Sequence, residues 1–146
     1  MQLTRHTDIA LRVLLLLADT GAEGLTAEQV ATRFRVNRNH LAKVVQALAR
    51  AGYIQAKRGV GGGLVMARAA QEINLGAVVR QLEPELDLLE CFSPTTSTCP
   101  ITDACRLQGV LSTAMVAFFT VLDQTTLADL MGPTGDLTRR LATVNR

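Results

Sequence analysis

A chain of 146 residues, 48% hydrophobic and 19% charged, has room for one domain, or for a small domain with an appended helical element. Its net charge of +2 hides an uneven distribution: residues 1–70 hold ten Lys/Arg against four Asp/Glu (+6), and residues 71–146 hold five against nine (−4). The basic half suits approach to phosphates and the acidic half would be repelled by them, although charge alone also fits two solvated faces.

No segment reads as a membrane span or secretory leader. Val13–Ala18 is an apolar run of only six residues set within helical periodicity, and the uncharged stretch between Arg106 and Asp123 has sixteen residues, too few to span comfortably. A cytoplasmic protein without a membrane partner is expected, in a compartment that keeps thiols reduced.

Taken in chain order, the first helix is predicted from about Thr7 to Ala18, with Ile9, Val13, Leu16 and Leu17 on one stripe and Asp19-Thr20-Gly21 as its stop. Thr26 with Gln29 three residues on is a capping box that opens a second helix carrying Val30, Ala31 and Phe34. Asn37 is the N-cap of a third. Here Leu41, Val44, Val45 and Leu48 face a core, while Arg38, Asn39, Lys43, Gln46 and Arg50 lie on the opposite face and Gly52 follows the end. Tyr53–Lys57 and Leu64–Met66 are strand candidates around the basic, glycine-rich stretch Arg58–Gly63.

Three helices followed by such a hairpin are the order of a winged helix-turn-helix. A recognition helix must bury one stripe and offer hydrogen-bonding side chains to base edges, and Arg38, Asn39 and His40 sit in its first turn. Arg can pair with guanine and Asn with adenine. Lys43 and Arg50 extend that face. In the wing, Gly59 and Gly62 let the backbone turn close to phosphates while Lys57 and Arg58 supply charge. Taken singly, each element fits a solvated face or a flexible hairpin; the ordered set points to double-stranded DNA.

Asn74 caps a fourth helix with Leu75, Val78, Val79 and Leu82, ended by Pro84. A loop-like segment, 86–105, follows and holds all three cysteines. A long helix is predicted from about Asp103. Leu107, Val110, Leu111, Ala114, Phe118 and Val121 form one stripe, and Met115, Phe119 and Leu122 a second. A helix apolar on two sides is buried on two sides, and in so short a chain the second partner is expected to be the same helix of another subunit. The resulting two-fold homodimer matches a palindromic operator. Thr125 and Thr126 can cap a short helix at Leu127–Met131, and residues 132–146 read as a flexible tail. The expected units are therefore 1–70, a DNA-binding domain, and 71–131, a sensor loop with a dimerisation helix.

Cys91, Cys99 and Cys105 have the spacing C-x7-C-x5-C. The absence of a CxxC pair argues against a zinc ribbon or a thioredoxin-like dithiol. Wide spacing on a loop suits an iron–sulfur cluster, Cys99-Pro100 echoes ferredoxin motifs, and Cys105 lies at a helix start, where the dipole favours a thiolate. Three buried thiols, or a simple thiol sensor, are the other readings; the polar flanks disfavour the first.

Leu3-Thr4 through Leu11-Arg12, Asn37–His40, Ala51-Gly52-Tyr53, Arg58-Gly59 with Gly62-Gly63, Leu82-Glu83-Pro84 and Cys99-Pro-Ile-Thr-Asp-Ala-Cys105 together resemble the iron–sulfur, winged-helix regulators. Within them the likeness is to the NsrR-type, nitric-oxide-responsive branch. The resemblance spans Met1 to about Met131. It implies a homodimeric repressor in which three cysteines and an aspartate from the other subunit's first helix hold the cluster. The matching positions are Cys91, Cys99, Cys105 and Asp8, with [4Fe–4S] favoured over [2Fe–2S]. IscR-type members instead use a histidine three residues after the last cysteine, where this chain has Gln108. The seven-residue gap between Cys91 and Cys99 is longer than is usual in the branch. On spacing alone Asp8 reads rather as a capping or first-turn carboxylate, with Thr4 and Thr7 nearby.

The resemblance further implies that nitric oxide is the effector, nitrosylation releasing DNA and derepressing nitric-oxide detoxification genes. Alternative expectations are a winged-helix regulator sensing oxidants or zinc through its thiols, or a small electron-transfer module. An enzyme is not expected, since no nucleophile–base or paired-carboxylate pattern stands out.

Overall fold

The fold rests on one helix that is apolar almost all round. In the computed structural model, which describes residues 2–59, 62–93, 95, 97–133 and 135–144, this is α1, Arg5–Thr20. Thr4 caps it, its hydroxyl accepting the Thr7 N–H at 3.3 Å. Ile9, Ala10, Val13, Leu14, Leu16 and Leu17 are all buried, so α1 is packed from several sides rather than along one stripe.

Two helices close on it. In α2, Ala27–Phe34, both bonds of the capping box form: the Thr26 N–H donates to Gln29 Oε1 at 2.8 Å and the Gln29 N–H to Thr26 Oγ1 at 3.1 Å. Arg35 ends it in the left-handed region at φ 52°. Asn37 Oδ1 then accepts from the Asn39 and His40 N–H groups and starts α3, Arg38–Arg50. Leu41, Val44 and Leu48 of α3 are buried against the core.

The predicted hairpin is β1, Ile54–Lys57, antiparallel to β2, Gly63–Met66, in the register Ile54↔Met66 to Lys57↔Gly63. It is not free-standing. Leu25, in the α1–α2 connection, pairs with Leu64 through reciprocal backbone bonds of 3.1 and 2.8 Å, which fixes the base of the wing to the helix-turn-helix.

Asn74 caps α4, Leu75–Leu82, and the following segment turns twice in short 3-10 helices before α5, Arg106–Asp123. The long helix starts later than the sequence suggests because Thr102–Ala104 is a 3-10 turn and Cys105 is extended. The far end of α5 is pinned to α4 at both its start and its last turn. Arg80 makes a two-pronged contact with Asp123 at 2.5 and 2.8 Å and lies 4.2 Å from the Phe119 ring centroid, and Asn74 Nδ2 donates to the Asp123 carbonyl at 2.6 Å. A Cβ on Gly76 would come within 1.9 Å of Asp123 Oδ1, so the clamp needs glycine there. The first predicted stripe of α5 divides: Leu111 and Phe118 are half-buried together with Met115, Phe119 and Leu122 of the second, whereas Leu107, Val110 and Val121 are 58–65% exposed. Hence only one side is covered within the chain.

The expected flexible tail is instead partly helical. α6, Asp136–Val144, docks on α1, with Leu137 and Leu141 against the core. Its N-terminus is held by Asp19, 3% exposed, which accepts from the Gly135 N–H (3.0 Å), the Thr138 N–H (2.9 Å) and the Thr138 hydroxyl (2.7 Å). A carboxylate at that position satisfies orphan helix donors and meets the positive end of the dipole. Local sequence could not show this, because the acceptor lies more than a hundred residues upstream.

Burial pushes the Asp19 carboxyl up, but the Thr138 hydroxyl and the N–H groups of Thr138, Gly135 and Leu137 outweigh it and hold the group below the ordinary carboxylate range. A depressed folded-state value means that this contribution is present above the unfolded value, about 3.9, and is lost as pH falls through the folded one. Asp19→Ala is expected to lower stability by about 1 kcal/mol at neutral pH, as loss of a helix cap does. Urea unfolding at pH 7 and at pH 3 checks this, with the difference from wild type shrinking at the lower pH.

Candidate nucleic-acid interface and thiol site

The polar face of α3 stands in solvent. Arg38, Asn39, Lys43 and Arg50 are exposed, and His40 is half-buried. Two of the five predicted DNA-facing residues on this helix are engaged within the chain. Arg38 is ion-paired with Glu28 in the first turn of α2, both side chains remaining mostly exposed. Such a surface pair contributes little and leaves Arg38 able to exchange its carboxylate for a stronger partner. The His40 ring is stacked on that of His6 in α1, with centroids 6.2 Å apart and planes at 25°.

Lys57, Arg58 and Gly59 are exposed at the tip of the wing. Gly59 has φ 97°, and its carbonyl accepts the Gly62 N–H at 2.9 Å. A Cβ on Gly62 would sit 2.4 Å from the Lys57 carbonyl oxygen and 2.7 Å from that of Gly59, so this tight return admits no side chain. Arg68 was not singled out from sequence. Its guanidinium lies 5.3 Å from the Tyr53 ring centroid and donates to the Ala51 carbonyl at 3.3 Å, joining the end of α3 to the wing. The signal was faint: one arginine just beyond a strand, with its aromatic partner across the hairpin.

All three thiols are free and half-buried. Cys91 lies in the turn Glu90–Phe92, and its carbonyl accepts from Gln108 Nε2 at 2.9 Å. Cys105 is the N-cap residue of α5 and makes no side-chain capping bond, leaving its thiol available at a positive helix end. Cys91 and Cys105 are thereby drawn to the same end of α5. Cys99 opens a compact turn in which Thr102 donates both its N–H (3.4 Å) and its hydroxyl (2.8 Å) to the Cys99 carbonyl. A cavity of about 440 Å³ is lined by Cys91, Phe92, Gln108, Gly109 and Ser112.

Asp8 is on a different element. It forms a two-pronged ion pair with Arg12 one turn along α1, with both distances 2.8 Å, and it is 44% exposed. The capping role at this helix end belongs to Thr4. Among the described residues no three His, Cys, Asp or Glu side chains of one chain lie together as a metal site. Three thiolates are the soft donors an iron–sulfur cluster takes, so the donor chemistry fits, while the geometry within one chain is incomplete.

Comparison with known proteins identifies the architecture. The sequence profile of the Rrf2 family, described as "Iron-dependent Transcriptional regulator", matches residues 3–133. The chain belongs to the Rrf2 family. Relatives named HTH-type transcriptional regulator NsrR include one from Halalkalibacterium halodurans, 47% identical over 132 residues and 90% of each chain, and one from Bacillus subtilis, 38% identical over 97% of each. Among solved structures, oxidised Staphylococcus aureus CymR superposes with a TM-score of 0.69 at 27% identity, covering 89% of this chain and 95% of that one. T. potens IscR gives 0.68 at 25%, covering 89% and 85%. This Rrf2 protein is thus an NsrR-type winged-helix transcriptional regulator and not an enzyme, and its class acts by binding DNA. No helix among the described residues is long and apolar enough to cross a membrane.

Gly62→Ala tests the wing. The clash with two carbonyl oxygens is expected to weaken binding to a selected DNA duplex about tenfold, the equivalent of about 1.4 kcal/mol. Fluorescence anisotropy measures the affinity, and an unchanged helical circular dichroism spectrum separates the effect from unfolding.

Proposed function

We propose that this Rrf2 regulator is a homodimeric repressor that senses nitric oxide through an iron–sulfur cluster, [4Fe–4S] in preference to [2Fe–2S], and regulates nitric-oxide detoxification genes. The cluster would be held by Cys91, Cys99 and Cys105 and completed by Asp8 of the partner subunit. When bound, it supplies iron that reacts with nitric oxide. The reading is carried by the likeness over nine-tenths of both chains to relatives named NsrR, and the free thiols gathered on 86–105 support it. Incomplete geometry within one chain fits a site that needs a second subunit, and the exposed stripe Leu107, Val110 and Val121 is apolar surface for that subunit to cover.

The residues of this chain have separate tasks. Arg38, Asn39 and His40 face base edges, Lys43, Arg50, Lys57 and Arg58 neutralise phosphates, and Gly59 and Gly62 allow the wing backbone to approach them. Cys105, at a helix N-terminus, is favoured as thiolate. Asp8 is a harder and weaker donor to iron than the thiols, which makes its corner the point of attack. Its carboxylate, paired with Arg12, keeps further lone pairs that can donate to iron. Because it sits on α1, which packs on α3, a change at Asp8 bears on the pose of the recognition helix.

A second reading, a regulator that senses oxidants through its thiols, is favoured by one observation: the three thiols do not converge within a chain as metal ligands would. Anaerobic purification followed by absorption spectroscopy, iron and sulfide analysis and stepwise nitric oxide separates the two. A brown protein whose broad band bleaches is expected. Cys99→Ala is expected to abolish the colour, and Asp8→Ala to retain iron but alter the spectrum and the nitric oxide response. A colourless protein that reconstitution with iron and sulfide fails to darken rejects the cluster, and an unchanged Asp8→Ala protein removes that residue from the mechanism.

A further inference from the structure

His6, in the first turn of α1, stands between two parts of the molecule that the regulator must connect. On one side its ring is stacked on His40, in the first turn of α3. Centroids at 6.2 Å lie within the range over which aromatic rings attract, so the stack fixes the ring of a residue assigned to base readout. On the other side is Glu83, the residue at which α4 ends and the segment leading to Cys91 begins. Glu83 is only 8% exposed, although it is a carboxylate. Its Oε1 accepts the Thr4 N–H at 2.8 Å and the Thr4 hydroxyl at 3.2 Å. It therefore holds the cap of the helix on which His6 occupies the first turn.

The titratable groups that act on His6 are those two neighbours. Burial and His40 disfavour its charged form, and Glu83 favours it. The segment after Glu83 also meets the N-terminal arm directly: Gln2, Leu3, Glu85, Leu86 and Phe118 share a cavity of about 110 Å³ with it. A path thus runs within one subunit from the start of the cysteine loop, by hydrogen bonds from Thr4 to Glu83, along the backbone of the first turn of α1 to His6, and by the ring stack to His40.

We infer that His6 is a positioning residue for the recognition helix, holding its first turn through His40, and that Glu83 ties this support to the segment carrying the cysteines. Movement of that segment then reaches α3 through the subunit's own chain, alongside any route through a partner's Asp8. The inference rests on the reading of α3 as the DNA-contacting helix and of 86–105 as the sensor.

A double-mutant cycle on the full-length protein tests it. The probe is a duplex selected by wild-type protein from a randomised double-stranded DNA pool, with affinity read by fluorescence anisotropy. His6→Ala and His40→Ala are each expected to weaken binding about fivefold, and the double variant to be no weaker than the worse single one, because coupled residues do not add. His6→Phe, which keeps a stacking ring, recovers most of the loss. Histidine NMR supplies a readout independent of DNA: the His40 ring signal shifts in His6→Ala.

Transmission is read as the ratio of affinities before and after alkylation of the thiols with iodoacetamide; that ratio moves toward one in His6→Ala. Additive losses in the cycle, or an unmoved His40 signal, overturn the positioning role. A ratio that His6→Ala leaves unchanged overturns the transmission. If wild-type protein binds the duplex equally before and after alkylation, the sensor reading itself fails, and the transmission with it. The cycle still decides the positioning role.

Discussion

Burial of α1 is the constraint on which the other elements depend. Six aliphatic residues within nine positions are removed from water, and no single partner can cover a helix on that many sides. The core therefore draws on α3 and β2 as well as α4 and α6, with Leu127 beyond α5 closing it. Each fully buried Leu or Val contributes roughly 1.5–3 kcal/mol relative to exposure. One consequence is functional. The helix that carries Asp8, Arg12 and His6 is also the one packed on the recognition helix, so little can change at its N-terminal end without a cost felt at α3.

Polar contacts then fix how the peripheral parts sit on this core. Leu25 and Leu64 pin the wing, Arg68 joins it to the end of α3, and Glu83 closes the N-terminus of α1. Arg80 and Asp123 lock α5 to α4, the pair holding the Asp123 carboxyl below its usual range and the Arg80 guanidinium above its own. Both side chains are partly exposed, so the clamp acts through directed geometry more than through Coulomb energy. It leaves one apolar stripe of α5 outward, the surface a second subunit would need.

The thiol region is organised differently. None of its described residues is fully buried, and short backbone turns with side-chain bonds, from Thr102 to the Cys99 carbonyl and from Gln108 to that of Cys91, give it shape. Gln108 occupies the position where the other branch of the resembling family has histidine. Here it acts as a strut between the first cysteine and α5 and does not present a ligand. A segment held by so few contacts can rearrange at small cost, which suits a sensor.

Much of this was legible in the residues themselves. Caps at Thr26, Asn37 and Asn74, the 3.6-residue stripes of α1 and α3 and the glycines of the wing are signals whose cause lies within a few residues, and each of these elements formed where the chain specifies it. The likeness to winged-helix regulators rested on the same local motifs. Tertiary structure alone decided the partners of isolated charges and rings. Asp19 caps a helix more than a hundred residues away, Glu83 holds the cap residue of one nearly eighty residues back, Arg38 is held by Glu28, and His40 lies on His6. Local sequence carries backbone preference and periodicity, which are properties of neighbours along the chain. A hydrogen bond or ring stack between distant positions depends on where the core brings two surfaces together, and that follows only once α1 has been buried.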